Sequence, residues 1–133
     1  MVRTVTLALL GVALASNGIA ASAACTGANP TLASVAVANV SHADGVNQYH
    51  LKGTVVNTGN EAQASNALQF VDIYQSGVKL DDKGIPPLGP GQSHTFTYVA
   101  VRSSEAGSGT TTLTFRLAPH AADCQGDSYA ITF

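Results

Sequence analysis

Leu113, Phe115 and Leu117 alternate with Thr112, Thr114 and Arg116, and this period of two is what most limits the folds open to the chain. Successive residues of a strand face opposite sides, so such a run has one apolar face and one wet face. The pattern recurs. In the run 48–56, Tyr49, Leu51, Gly53 and Val55 share one face, and His50, Lys52, Thr54 and Val56 the other. In the run 93–101, Phe96, Tyr98 and Ala100 fall in register. An Ala/Val-rich run at 32–40 reads as a first strand, 68–74 as a third with Val71 and Ile73 inward, 78–80 as a short edge strand, and Tyr129, Ile131 and Phe133 as the last. Beyond the first two dozen residues, no stretch carries apolar residues at helical spacing over a helical length.

Turn chemistry separates these runs. Asn57-Thr58-Gly59-Asn60 halts the second strand, since Asn and Gly tolerate the positive φ of a tight turn. Asp44-Gly45 marks a turn within a loop at 41–47, Ser76-Gly77 another, and Asp81-Asp82-Lys83-Gly84 a further one. Pro86, Pro87 and Pro90 exclude a regular central strand between Ile85 and Gly91, leaving Leu88 to plug the end of the core. Residues 103–109 read as a flexible loop, and Pro119 ends the sixth strand. Seven short strands with turns between them predict an all-β chain, a seven-stranded immunoglobulin-like antiparallel β-sandwich.

The first 23 residues read as a cleaved signal peptide: Arg3, then an apolar run at 5–15, then Ala21-Ser22-Ala23 as an A-x-A site. The apolar run is too short to cross a membrane, which takes roughly 20 residues. Residues 24–133 form one domain by size, exported to the periplasm, cell surface or exterior. That domain has five basic residues (Lys52, Lys79, Lys83, Arg102, Arg116) against eight acidic ones. No basic patch emerges, which excludes the usual electrostatic footprint of nucleic-acid binding. The two cysteines, Cys25 and Cys124, read as a disulfide in an exported chain. Their positions before the first and last strands would set those strands parallel, with their starts together. The competing reading is a lipoprotein acylated at Cys25, which leaves Cys124 as an odd thiol.

Val55-Val56-Asn57-Thr58-Gly59-Asn60, Ile73-Tyr74-Gln75-Ser76-Gly77-Val78 and Leu88-Gly89-Pro90-Gly91-Gln92-Ser93 leading into Thr95-Phe96-Thr97-Tyr98 together resemble the CARDB group, the cell-adhesion-related Ig-like domains of bacteria. The likeness runs from about Pro30 to Phe133, the whole exported chain at the size of one domain. It implies a seven-stranded β-sandwich in the periplasm or at the cell surface, with a role in adhesion or as a spacer, and no catalytic residues.

The residues themselves name no reaction and no cofactor. Of the four histidines, His42, His50, His94 and His120, no two stand at a spacing that sets both rings on one face, and the only Met lies in the signal, so a blue-copper ligand set is missing. Asp81-Asp82, Asp44 and Asp123 lie in turns and loops without the D-x-D-x-D-G run of a calcium loop. Ser108, in Gly107-Ser108-Gly109, is not in a G-x-S-x-G elbow between strand and helix. Asn39-Val40-Ser41 is a formal glycosylation sequon. The expected function is therefore a non-enzymatic module that binds a protein or a cell-envelope polymer, through loops or a sheet edge. The candidate loop residues are Ser41, His42, Asp44 and Asn47 at one site and Arg102, Glu105 and Ser108 at another. A periplasmic metal carrier using the histidines is the alternative from a different class.

Overall fold

The computed structural model describes residues 27–104, 109–119 and 127–133. Seven strands are present among them: β1 (Pro30–Ala43), β2 (Val46–Asn57), β3 (Gln69–Gln75), β4 (Val78–Ile85), β5 (Ser93–Ser103), β6 (Thr112–Ala118) and β7 (Ser128–Thr132). They make two sheets, β1-β2-β5 and β4-β3-β6-β7, all neighbours antiparallel. The period-two pattern explains the pairing. Leu51 and Val55 of β2, and Phe96 of β5, look inward from the first sheet with Leu32 and Val35 of β1. Val71 and Ile73 of β3 and Leu113, Phe115 and Leu117 of β6 meet them from the second. Burial of each such side chain contributes about 1.5–3 kcal/mol. Leu88 is 4% exposed and closes one end of this core. The ring of Phe96 lies against Gly53, its partner across the β2–β5 ladder.

Two expected loops are strands. The segment expected as a loop at 41–47 is a hairpin whose ladder continues to Ala43↔Val46. Only Asp44 and Gly45 turn, at φ 52° and 77°. Positive φ at both central residues is the two-residue turn whose twist matches the flanking strands, so nothing longer is needed. The expected Asp81–Gly84 turn lies inside β4, which stays paired with β3 through Gln69↔Ile85. The reversal is complete at Ser76 and Gly77, φ 51° and 80°. An edge strand accepts these charges because its outer side meets water.

The strand order brings β1 and β7 into facing sheets at one side of the sandwich. Tyr49, close to the register partners of the last third of β1, stacks on Phe133 with ring centroids 4.7 Å apart. Both strands thus end at the same pole and run in the same direction. Cys25 and Cys124 lie outside the described residues.

The other pole is organised by one side chain. Asn57 is fully buried. Its Oδ1 accepts from the backbone N–H of Asn29 and of Gly59, both at 2.9 Å. Its Nδ2 donates to the carbonyls of Glu61 at 2.8 Å and Leu88 at 3.0 Å. Its backbone N–H donates to Gln92 O at 2.9 Å, and its carbonyl accepts from Gly91 N at 2.8 Å. The two turn-rich stretches, 57–60 and 88–93, are therefore one structure. Gly59 is not at positive φ. It is required for space: a Cβ there would lie 1.7 Å from the carbonyl oxygen of Gly27. A second relay runs beside it. Gln63 exchanges two bonds with Leu88, each 2.9 Å, and bonds Gln69, which donates to Pro119 O at 3.0 Å.

Asn57→Ala strands two buried N–H groups and two carbonyls, and should lower unfolding free energy by about 3–4 kcal/mol in urea titrations, at the upper end for a single buried polar deletion. Gly59→Ala should destabilise by about 1–3 kcal/mol by overpacking against backbone that has no room to yield, read as a fall in Tm.

Candidate functional site

The hairpin tip and the end of β5 bring five of the candidate residues to one pole. Ser41, His42, Asp44 and Asn47 belong to the β1–β2 hairpin, and Asn47 stands opposite Arg102 in the β2–β5 register. Glu105 and Ser108 lie outside the described residues. Every residue of β1 from Asn39 to Ala43 is exposed, because β1, at 14 residues, outruns the 5-residue β7 and the 7-residue β6 of the other sheet that it meets. Local bonds order the tip. Ser41 Oγ bonds His50 Nε2 at 3.1 Å and Gln48 Oε1 at 3.3 Å on the outer face. His42 Nδ1 bonds Asn47 Oδ1 on the other. Ser104 N and Oγ both donate to Gly45 O, at 2.9 and 2.8 Å, pinning the turn to the end of β5.

Arg102 is tied into the fold. One guanidinium nitrogen donates to Thr111 Oγ1 at 3.1 Å and to Phe133 O at 2.8 Å, and the other to Tyr49 Oη at 2.6 Å. The guanidinium lies 4.8 Å over the Tyr49 ring and 6.0 Å from that of Phe133. It thus joins the first sheet to the ends of β6 and β7, while Thr111 and Phe133 exchange backbone bonds of 2.8 and 3.0 Å. A sequence signal for this exists in hindsight. Arg102 continues the inward series Phe96, Tyr98, Ala100, and a charge on that side must find partners.

Two further surfaces stand out. On the outer face of the second sheet, Lys79 lies between Asp72 at 3.3 Å and Asp82 at 3.2 Å. These carboxylates, Asp82 foremost, raise the pKa of its ammonium. Arg116 sits 5.9 Å from the Tyr74 ring. Tyr98, whose phenol is raised by burial and by the charge of Asp81, has Lys83 at 5.9 Å from its ring. The second surface is a shallow apolar groove of about 320 Å³ between the starts of β3 and the Pro86-Pro87 segment, walled by Leu68, Phe70, Gly84 and Ile85. Leu68, expected as the first residue of the third strand, precedes it and is 75% exposed.

His50 bonds Ser41, His42 bonds Asn47, and His94 stands at the start of β5, so the histidines divide between faces; His120 and Asp123 lie outside the described residues. Among the described residues, no three His, Cys, Asp or Glu side chains converge on one point, and no helix is long and apolar enough to cross a membrane.

No protein-family model matches the sequence. No curated protein matches it in sequence. Among solved structures, the fold matches the crystal structure of the CARDB domain of a Pyrococcus furiosus protein, in complex with di-metal ions, with a TM-score of 0.58 and 13% identity over 80% of this chain and 91% of that one. At that identity the likeness is one of architecture: the chain has the Ig-like β-sandwich of a CARDB domain.

Proposed function

We propose that the chain is an exported, non-enzymatic Ig-like module that binds another protein or an envelope polymer through the hairpin end of its first sheet or through a sheet edge. The observation that carries this reading is the overhang of β1: the exposed residues 39–43 and the turn at Asp44-Gly45 stand beyond the packed core, and polar groups on a rigid scaffold are the usual place for recognition. In this reading Ser41, His42, Asp44 and Asn47 meet the partner. Arg102 supports the platform from beneath; Glu105 and Ser108, outside the described residues, stay candidates for contact with the partner. The role is adhesive or structural within the envelope.

The proposal includes removal of residues 1–23 and a bond between Cys25 and Cys124. The common pole at which β1 and β7 begin favours that bond over acylation of Cys25. The second reading, a metal carrier, draws on the CARDB neighbour's di-metal complex.

Four outcomes follow. The immobilised exported chain should capture a component of envelope extract, and the combined Ser41→Ala, Asp44→Asn, Asn47→Ala variant, which keeps a residue tolerant of positive φ in the turn, should lose that capture while staying folded, with only a small fall in Tm. Equal capture by both would sink the hairpin assignment. Arg102→Ala should instead cost about 1–3 kcal/mol and speed amide exchange at Thr111 and Phe133. A non-reducing peptide map should contain one Cys25–Cys124 peptide pair, and reduction should lower stability by up to about 4–5 kcal/mol for a loop of this length. Partition of the chain into detergent with a blocked Cys25 would establish the lipoprotein instead. Mass spectrometry with zinc or copper at neutral pH should find no stoichiometric retention. Retention lost on His→Ala changes would favour the carrier.

A further inference from the structure

The edge of a sheet presents unpaired N–H and C=O groups, and folded chains blunt such edges with charge, bulges, proline or brevity. Three of the four edges here are blunted. β4 carries Lys79, Asp81, Asp82 and Lys83 among its eight residues and breaks register at Leu80. β1 opens on Pro30 and breaks register twice. β7 has only five residues. β5 has none of these devices. Its ladder with β2 is unbroken from Val46↔Ser103 to Val56↔Ser93. From Ser93 to Val101 it contains no Asp, Glu, Lys, Arg, Pro or Gly.

The direction of its free groups follows from two bonds at its ends. Asn57 N donates to Gln92 O, and Ser104 N donates to Gly45 O. Even-numbered residues of this segment therefore bond toward β2, and by the alternation of an antiparallel ladder the odd-numbered ones turn their N–H and C=O away from it. Thr95, Thr97, Val99 and Val101 thus offer a row of donors and acceptors on the side where no described strand pairs. Their side chains lie on the outer face, where Val99 is 44% and Val101 60% exposed beside His50 and Gln48.

We infer that β5 pairs antiparallel with β5 of a second copy of this chain, joining two three-stranded sheets into one of six across a two-fold axis. A two-fold contact requires one patch to complement itself, and β5 does so. Antiparallel to itself, it sets Thr and Val beside Thr and Val with no like charges opposed, and gives the exposed Val99 and Val101 apolar cross-strand neighbours. An extended peptide from another protein would be selected by side-chain pockets or charge, and this face of β5 has neither. Since the remaining edges are blunted, pairing stops at two. This inference rests on the sheet-edge arm of the proposed function. The hairpin-capture assay does not depend on it, so the two fail separately.

The test is sedimentation of the purified exported chain over about a hundredfold range of concentration, with amide exchange followed residue by residue. Edge pairing alone sits at the small end of specific interfaces, so a concentration-dependent monomer–dimer equilibrium is expected. The amides of Thr97 and Val99 should exchange fast when dilute and slow when concentrated, with those of Phe96 and Tyr98 slow throughout. Val99→Lys, at an exposed position, and Thr97→Pro, whose lost N–H served no ladder bond to β2, should each weaken association at least tenfold. A chain that stays monomeric with fast Thr97 and Val99 amides overturns the inference. So does a dimer untouched by Val99→Lys, or a monomer in which those two amides are already slow or are protected by a co-purified peptide. The exchange measurement on the unaltered chain decides the matter even if a variant fails to fold.

Discussion

The side chain of Asn57 is the interaction on which the arrangement depends. A carboxamide has two acceptor sites and two donors in one plane, and here all four are used on backbone groups drawn from four separate parts of the chain. The entry to β1, the turn after β2, the following connector and the loop before β5 are each fixed by one bond to it. No isostere can do this. Aspartate has no donors for the two carbonyls, and leucine has neither donors nor acceptors. Burial raises the strength of each bond and the cost of losing it, which is why this polar side chain can sit fully enclosed once its bonds are made.

Much of the architecture was legible because burial and strand geometry share one period. The inward residues of β6 match the alternation in the sequence one for one, as do Val71 and Ile73 of β3, where Gln69 also turns inward, and Leu88 caps the core between prolines. The misreadings share one cause, that turn composition is not turn geometry. Asp81-Asp82-Lys83-Gly84 has the composition of a turn but is held in a ladder by β3, a partner remote in sequence. The stretch at 41–47 looks like a loop but closes in two residues. Gly59 was read for its tolerance of positive φ, while its role is to leave room for the backbone at Gly27. Local propensity does not report what approaches from elsewhere in the fold.

The candidate surface was less legible than the frame. Composition pointed to the hairpin and the end of β5 as loops, and the fold does bring Ser41, His42, Asp44, Asn47 and Arg102 to one pole. Composition did not reveal that Arg102 donates to Tyr49, Thr111 and Phe133 and so ties the two sheets together. Nor did it reveal the relay from Leu88 through Gln63 and Gln69 to Pro119. Such arrangements depend on which strands face one another, and strand order is a property of the sandwich rather than of any segment. The resemblance to CARDB domains supplied the frame. Residue roles had to be read from contacts.

The unequal length of the two sheets has a consequence for how this chain can change over time. Residues 39–43 and the turn that follows are exposed and stand at the pole opposite the Asn57 junction. Substitution of the exposed side chains there therefore proceeds with little reference to the core, provided the two-residue turn and its bonds to Ser104 are kept. Natural selection can rewrite the projecting end again and again while the scaffold is held constant.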